Sequence, residues 1–154
     1  MKPRSRRGVF KHILIATDGS PLSARAEKAA IALAGALGAR VTAYCAVEEP
    51  QPIYVEGEAF DQAMMSHFDV RAKAVAEGRI RAIAKVAKAA GVRFNGLVRN
   101  AKTAYEGIID AARRQGCDVI VMASHGRRGL SKLMMGSVTQ KVLTHSKIPV
   151  VVYR

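Results

Sequence analysis

The chain has no tryptophan, two cysteines, and 12 acidic residues against 25 lysines and arginines. Each scarcity excludes something. Cys45 and Cys117 lie in or beside apolar segments, with no cysteine or histidine at metal-site spacing. They read as buried reduced thiols, which argues against a disulfide framework or a zinc site. No apolar run approaches the roughly 20 residues of a membrane span. Aromatic residues make up 5% of the chain and form no interleaved stacking surface, and there is no heptad series. Two standard phosphate loops are absent as well: Gly-x-x-x-x-Gly-Lys-Ser/Thr, and Gly-x-Gly-x-x-Gly after the first strand. Any phosphate ligand would need a different loop.

What is present fits one globular domain. The 154 residues are 49% hydrophobic and 24% charged, with alanine supplying much of the apolar count. The formal charge is +13, of which Lys2, Arg4, Arg6 and Arg7 contribute four, leaving +9. Ser5-Arg6-Arg7 faintly resembles a twin-arginine signal, but the apolar run after it, Ile13 to Ala16, falls short of the roughly 7–15 residues of a signal core. Residues 1–10 therefore read as a disordered basic tail, and 11–154 as the folded domain of a cytoplasmic protein. A basic surface favours polyanions. Arg79, Arg81, Lys85 and Lys88, set among Ile80, Ile83, Ala84 and Ala87, read as the solvated face of a helix. Sequence-specific recognition of nucleic acid has no support.

Periodicity gives the order of elements. His12–Ala16 is a short continuous apolar run, as in a strand covered on both faces. Ser20-Pro21 starts a helix that Gly38 stops. Residues 40–47 form a second strand, followed by a loop expected to stay irregular to about Gly57. A long helix is expected over 58–90, with Gly78 as a kink or weak point. A weaker strand spans 93–98, and Thr103-Ala-Tyr-Glu106 is a capping box opening the next helix. Strand 118–122, a last helix to about Ser146 and strand 148–153 complete a β-α-β-α-β-α-β-α-β order. Such alternation predicts an α/β fold: a doubly wound, five-stranded parallel sheet flanked by helices. Ligands of these sheets sit beyond the strand carboxyl ends at the topological switch point. Thr17-Asp18, Val47-Glu48 and Ala123–Gly126 all fall at such ends.

The segment Met122-Ala-Ser-His-Gly-Arg-Arg-Gly-Leu-Ser-Lys-Leu-Met-Met-Gly-Ser137 carries most information. It runs from a buried strand into a helix, the arrangement that brings backbone amides and the positive end of a helix dipole to phosphate oxygens. Gly126 and Gly136 permit an approach that a Cβ would block. Ordinary loop punctuation by Gly126, Gly129 and Gly136 is the competing reading. Asp18 also suits ordering the loop before the first helix, and Ser137 suits an N-cap. His125 has no partnered nucleophile and carboxylate, so no catalytic residue is assigned. His12, His67 and His145 are scattered. Met64-Met65 and Met134-Met135 read as packing or interface residues.

Ile13-Leu-Ile-Ala-Thr-Asp-Gly-Ser20, Ser124-His125-Gly126 with Arg127-Arg128-Gly129, Gly136-Ser137-Val138-Thr139 and Ile148-Pro-Val-Val-Val-Tyr153 together resemble the universal stress protein family, from about Phe10 to Arg154. Its nucleotide-binding branch carries Gly-x2-Gly-x9-Gly-Ser/Thr. Here the spacing is intact through Gly126 and Gly136-Ser137, but Ala123 stands at the first glycine. The resemblance implies an adenine nucleotide alpha-hydrolase-like, Rossmann-like fold that binds ATP, ADP or AMP with Mg²⁺. By it, Asp18 lies by the ribose or a phosphate-bound Mg²⁺, and Val47 meets the adenine through its backbone. Ala16, Thr17, Met122 and Ala123 line the site. Gly126, Gly136, Ser137, Val138 and Thr139 hold phosphates, with Arg127 or Arg128 adding charge. It also implies a homodimer pairing antiparallel through Ile148–Tyr153, where Pro149 lacks a donor and suits an edge strand.

Three functions follow as expectations. The first is an ATP-binding regulatory stress-response module with little or no hydrolysis. The second is a nucleotide-independent homodimer acting through its dimer or basic surface. An adenylate-handling enzyme ranks third, because it needs a nucleophile or metal constellation the chain lacks.

Overall fold

The computed structural model describes residues 9–49, 54–55, 58–59, 62–127 and 134–154, with side chains described for 9–49, 65–127 and 134–154. The elements are β1 (His12–Ala16), α1 (Pro21–Leu37), β2 (Arg40–Glu48), β3 (Tyr54–Val55), β4 (Glu58–Ala59), α2 (Gln62–Ala89), β5 (Phe94–Ala101), α3 (Ala104–Gln115), β6 (Val119–Ala123), α4 (Ser137–His145) and β7 (Val150–Tyr153). The five long strands form one sheet in the order β5-β2-β1-β6-β7, every pairing parallel. From β1 the chain winds outward through β2 to β5, then crosses back to β6 and β7. The direction reverses between β1 and β6, which makes their carboxyl ends the switch point.

Burial explains the central strand. Ile13, Leu14 and Ile15 are fully buried because residues alternate between two cores. On one face Ile13 and Ile15 pack with Ala30, Ile31 and Ala34 of α1 and with Ala76, Ile80, Ile83 and Ala87 of α2. On the other, Leu14 and Ala16 pack with Ile108, Ala111 and Ala112 of α3 and Val142 of α4. Each fully buried aliphatic side chain contributes about 1.5–3 kcal/mol, so β1 anchors the sheet. The small residues of α1 let its axis sit close to the sheet, and Gly107 does the same for α3. A Cβ at Gly107 would collide with the Tyr44 hydroxyl and the Ala101 methyl.

The amino edge is fixed by Asp118, whose carboxylate accepts from the Lys11 amide at 2.8 Å and the His12 amide at 3.1 Å. Beside it the buried His12 ring bonds Thr42 Oγ1 at 2.8 Å. Burial and the Arg40 charge hold the His12 pKa below its ordinary value.

Four local expectations are corrected. A short antiparallel hairpin, β3 with β4, interrupts the loop expected to be irregular to Gly57. The helix expected from residue 58 starts at Gln62, because Glu58–Ala59 belongs to that hairpin, and it continues through Gly78 to Ala89. The strand expected over 93–98 runs through Ala101, because its partner β2 continues to Glu48. The capping box does not close. Thr103 Oγ1 donates to Glu106 Oε2 at 2.8 Å and caps no amide; the Ala104 amide instead donates to Glu48 Oε1 at 3.1 Å. A carboxylate at a helix start serves both the free amide and the dipole.

Among the described residues no helix is long and apolar enough to cross a membrane. Of the tail expected over residues 1–10, residues 1–8 lie outside the described residues, as do Arg128 and Gly129, while Phe10 packs against the core.

Candidate nucleotide site

Two loops leave the switch point in opposite directions and are joined by Asp18. Its Oδ1 accepts from the Ser20 amide at 2.9 Å, and its Oδ2 from the Arg127 amide at 3.0 Å. Arg127 returns the contact, its Nε donating to the Asp18 carbonyl at 2.8 Å. A Cβ on Gly126 would collide with Asp18 Oδ2, so this glycine is needed for loop-to-loop approach. Beneath Asp18, Thr17 Oγ1 donates to Glu27 Oε1 and accepts from the Gly19 amide and from Ser23 Oγ. Ser20 caps α1 by accepting from the Ser23 amide at 3.1 Å. These bonds fix the β1–α1 loop before any ligand arrives.

The second loop is held as tightly where it enters α4. The Gly136 amide donates to the Ser124 carbonyl at 2.8 Å, and Thr139 Oγ1 to the Ala123 carbonyl at 2.9 Å. A Cβ at Gly136 would stand 3.1 Å from His125 Cα. Gly136, not Ser137, is the N-cap of α4, and Ser137 is its first helical residue. The expected N-cap is therefore displaced by one position. The first bond of the helix runs from the Gln140 amide to the Gly136 carbonyl, which leaves the amides of Ser137, Val138 and Thr139 ahead of it. Three donors and the positive dipole end thus face the switch point.

The remaining predicted residues line this edge to different degrees. Ala16, Thr17, Met122 and Ala123 are buried at the strand ends beneath the loops. Val47 lies past Tyr44, the register partner of Ala16, so β2 projects beyond β1 as a side wall. The Val138 side chain packs on the α3/α4 core, and the Thr139 hydroxyl is committed to Ala123; only their backbone amides remain for a ligand. The Met134 and Met135 side chains are 63% and 38% exposed, so they do not pack into the core.

One residue was missed. Arg79 of α2 was read as part of a solvated face, but its guanidinium lies over Gly19, and Nη1 donates to Cys45 Sγ at 3.9 Å. Gly19 has φ +75°, and a side chain there would overlap Arg79. The signal was available: Arg79 lies three residues after Ala76 and four before Ile83, spacing that puts it beside the buried stripe. Burial pushes the Cys45 thiol pKa up, while the bond from Arg79 and the charges of Arg79 and Arg127 act the other way. Asp18, Arg79 and Arg127 therefore share one electrostatic neighbourhood.

Among the described residues there is no cluster of three or more His, Cys, Asp or Glu side chains able to hold a metal. Both Asp18 oxygens already accept from amides, and the neighbouring Glu27 carboxylate accepts from Thr17 and Ser23. Asp18 suits a cation carried in by phosphates better than a protein-built metal site.

A doubly wound parallel sheet with an open helix start at its switch point is an arrangement on which α/β domains can seat anionic ligands. The sequence profile of the universal stress protein family matches residues 10–154. The chain belongs to that family. It is 34% identical over 146 residues to the universal stress protein in the QAH/OAS sulfhydrylase 3′ region of Thermus aquaticus, covering 95% of this chain and 100% of the relative. It is 31% identical over 154 residues to universal stress protein YxiE of Bacillus subtilis, covering 95% of this chain and 100% of the relative. Among solved structures, protein MJ0577 of Methanocaldococcus jannaschii matches with a TM-score of 0.79 and 26% identity, over 93% of this chain and 94% of that one. A universal stress protein solved in complex with cAMP shares the fold, with a TM-score of 0.70 and 23% identity over 94% of this chain and 97% of that one.

Proposed function

We propose that this protein is an ATP-binding regulatory module of the stress-response type that turns nucleotide over slowly or not at all. The observation that carries the reading is the meeting of Asp18 with the Gly126–Arg127 loop at the switch point, beside the open amides of Ser137 to Thr139. The nucleoside lies along the β1 and β2 ends, from Thr17 and Asp18 to Val47. The phosphates lie at the start of α4, where amides and dipole act together. Relatives of this fold solved with cAMP and with dAMP hold adenine nucleotides in those proteins, in keeping with this choice of ligand. Mg²⁺, when present, screens the phosphate charge and meets the chain at Asp18.

Regulation follows from how the loops are tied. The Arg127 amide and guanidinium bond Asp18 directly, so a ligand that engages Asp18 competes with or reshapes that contact. Occupancy is read out as a change at Gly126 and Arg127 and at the exposed Met134 and Met135 before α4. Among the described residues no base is paired to activate water: His125 Nδ1 pairs with Ser124 Oγ at 3.2 Å, and no carboxylate orients that ring. The protein acts by binding.

A second reading, a nucleotide-independent homodimer, is favoured by one feature. β7 is an edge strand of the sheet with Val151 40% exposed, an apolar edge suited to pairing with a second copy. The two readings are compatible, since dimerisation uses β7 and the nucleotide uses the switch point.

Thermal melting against ATP concentration tests the first reading. A ligand that binds only the folded state stabilises it by about 2.7 kcal/mol at 100 times its Kd. The melting temperature of the native chain should rise with ATP and Mg²⁺, whereas Gly136→Val, compared with its own ligand-free melt, should not respond. Phosphate release should stay far below one turnover per second. Turnover at several per second would sink the regulatory reading.

A further inference from the structure

We propose that Arg79 is a nucleoside-contacting residue, an arginine delivered from the middle of α2 to hold the base end of the bound nucleotide. The inference rests on the ATP-binding reading and adds a contact on the side of the site away from the phosphates.

The placement comes from two independent contacts. The guanidinium covers the Gly19 backbone at the exit of β1, and Nη1 reaches Cys45 Sγ near the exit of β2. Cys45 and Val47 point into the same core face, so Arg79 lies along the wall that ends at Val47. The amides of Ser137 to Thr139 lie on the other side of Asp18, toward β6. A nucleotide with its phosphates at α4 and its sugar at Asp18 brings its base toward Gly19, Val47 and Arg79. The three features form one line along the carboxyl edge.

The chemistry suits the position. Arginine is planar, weakly hydrated and always charged, and it stacks on aromatic rings while its edge donates to ring acceptors. Among the described residues no carboxylate lies within ion-pair distance of Arg79, and a thiol at 3.9 Å is a weak partner. A purine offers a π-face and ring nitrogens as acceptors. Lysine supplies the charge without the plane, which separates stacking from simple attraction. Gly19 contributes by leaving room: any side chain there would occupy the place of the guanidinium.

The test is calorimetry with adenosine, AMP and ATP on the native chain, Arg79→Met, Arg79→Lys and Gly136→Val, at low and high salt, with melting curves to verify folding. Arg79→Met should weaken all three ligands by a similar factor, about tenfold, the size of one stacking contact. Arg79→Lys should weaken them similarly, and the loss should change little with salt. Gly136→Val should instead weaken ATP far more than adenosine. A loss at Arg79 that grows with phosphate number and is restored by lysine would make it a phosphate contact and overturn the proposal. Unchanged or tighter binding in Arg79→Met would also overturn it while leaving the ATP site standing. Failure of the native chain to bind ATP at millimolar concentration would remove both.

Discussion

The Asp18 carboxylate accepts the Arg127 amide at 3.0 Å while the Arg127 guanidinium donates to the Asp18 carbonyl at 2.8 Å, a reciprocal pair joining the loops after β1 and β6. These loops lead to α1 and α4 on opposite faces of the sheet. Asp18 is thus both a candidate ligand contact and a structural clasp. Asp18→Ala removes acceptors for two amides, and the loss of charge-assisted bonds at a partly exposed site should cost about 1.5 kcal/mol. Urea denaturation measures this, and Asp18→Asn should recover part of it. A midpoint unchanged in Asp18→Ala would mean that the clasp does not bear on stability.

Two glycines in helices should respond to alanine with opposite signs. At Gly107 a methyl group would collide with the Tyr44 hydroxyl and the Ala101 Cβ. Overpacking of about 1–3 kcal/mol outweighs a helix-propensity gain of about 1 kcal/mol, so Gly107→Ala should lower the melting temperature. At Gly78 the nearest atom to an added Cβ is Arg81 Nη2 at 3.8 Å, an ordinary contact. Gly78→Ala should stabilise by about 0.5–1 kcal/mol. Melting both variants against the native chain tests the packing of α3 on β2.

His12 sets a pH dependence. Burial and the Arg40 charge lower its folded pKa from 6.5, against lesser opposing effects of the Gly116 backbone, Asp118 and the Gln115 backbone. In the window below 6.5 the unfolded chain therefore binds more protons than the folded one. Stability is full above about pH 6.5 and is lost as pH falls toward the depressed folded value. His12→Gln should flatten that part of the melting-temperature profile. The carboxylates Asp69 and Asp110, whose pKa values are lowered mainly by their bonds to Lys73 and Arg113, act below their ordinary 3.8 and leave the window clear. An equal slope between pH 5 and 6.5 in His12→Gln would assign the effect elsewhere.

The β7 edge predicts assembly. Val151→Lys puts a charge on the exposed apolar edge and should shift the protein toward monomer in sedimentation equilibrium. A dimer that persists unchanged would place the contact on another surface.

Much of the fold was legible because its signals are local. β1 and β6 are continuous apolar runs since both their faces are buried, and Ser20-Pro21, Gly38 and Gly116 mark helix ends by their own conformational preferences. The glycine loop was legible through its spacing. What was not legible depends on distant partners. Thr103 and Glu106 have capping-box spacing, yet Glu48 from β2 takes the Ala104 amide. Arg79 sits at the boundary between the buried and exposed sides of α2, and it turns toward Gly19 and Cys45, partners distant in sequence. The hairpin of β3 and β4 has two residues per strand, too few for an alternating pattern to register.

The central claim is that the edge formed by Asp18, Gly126 and the start of α4 binds ATP. Isothermal titration of nucleotide-stripped protein with ATP and Mg²⁺ tests it most directly. The account predicts saturable micromolar binding at one site per chain, lost in Gly136→Val that still melts cooperatively. The absence of heat from the native protein at millimolar ATP would contradict it, and would leave the β7 edge as the functional surface.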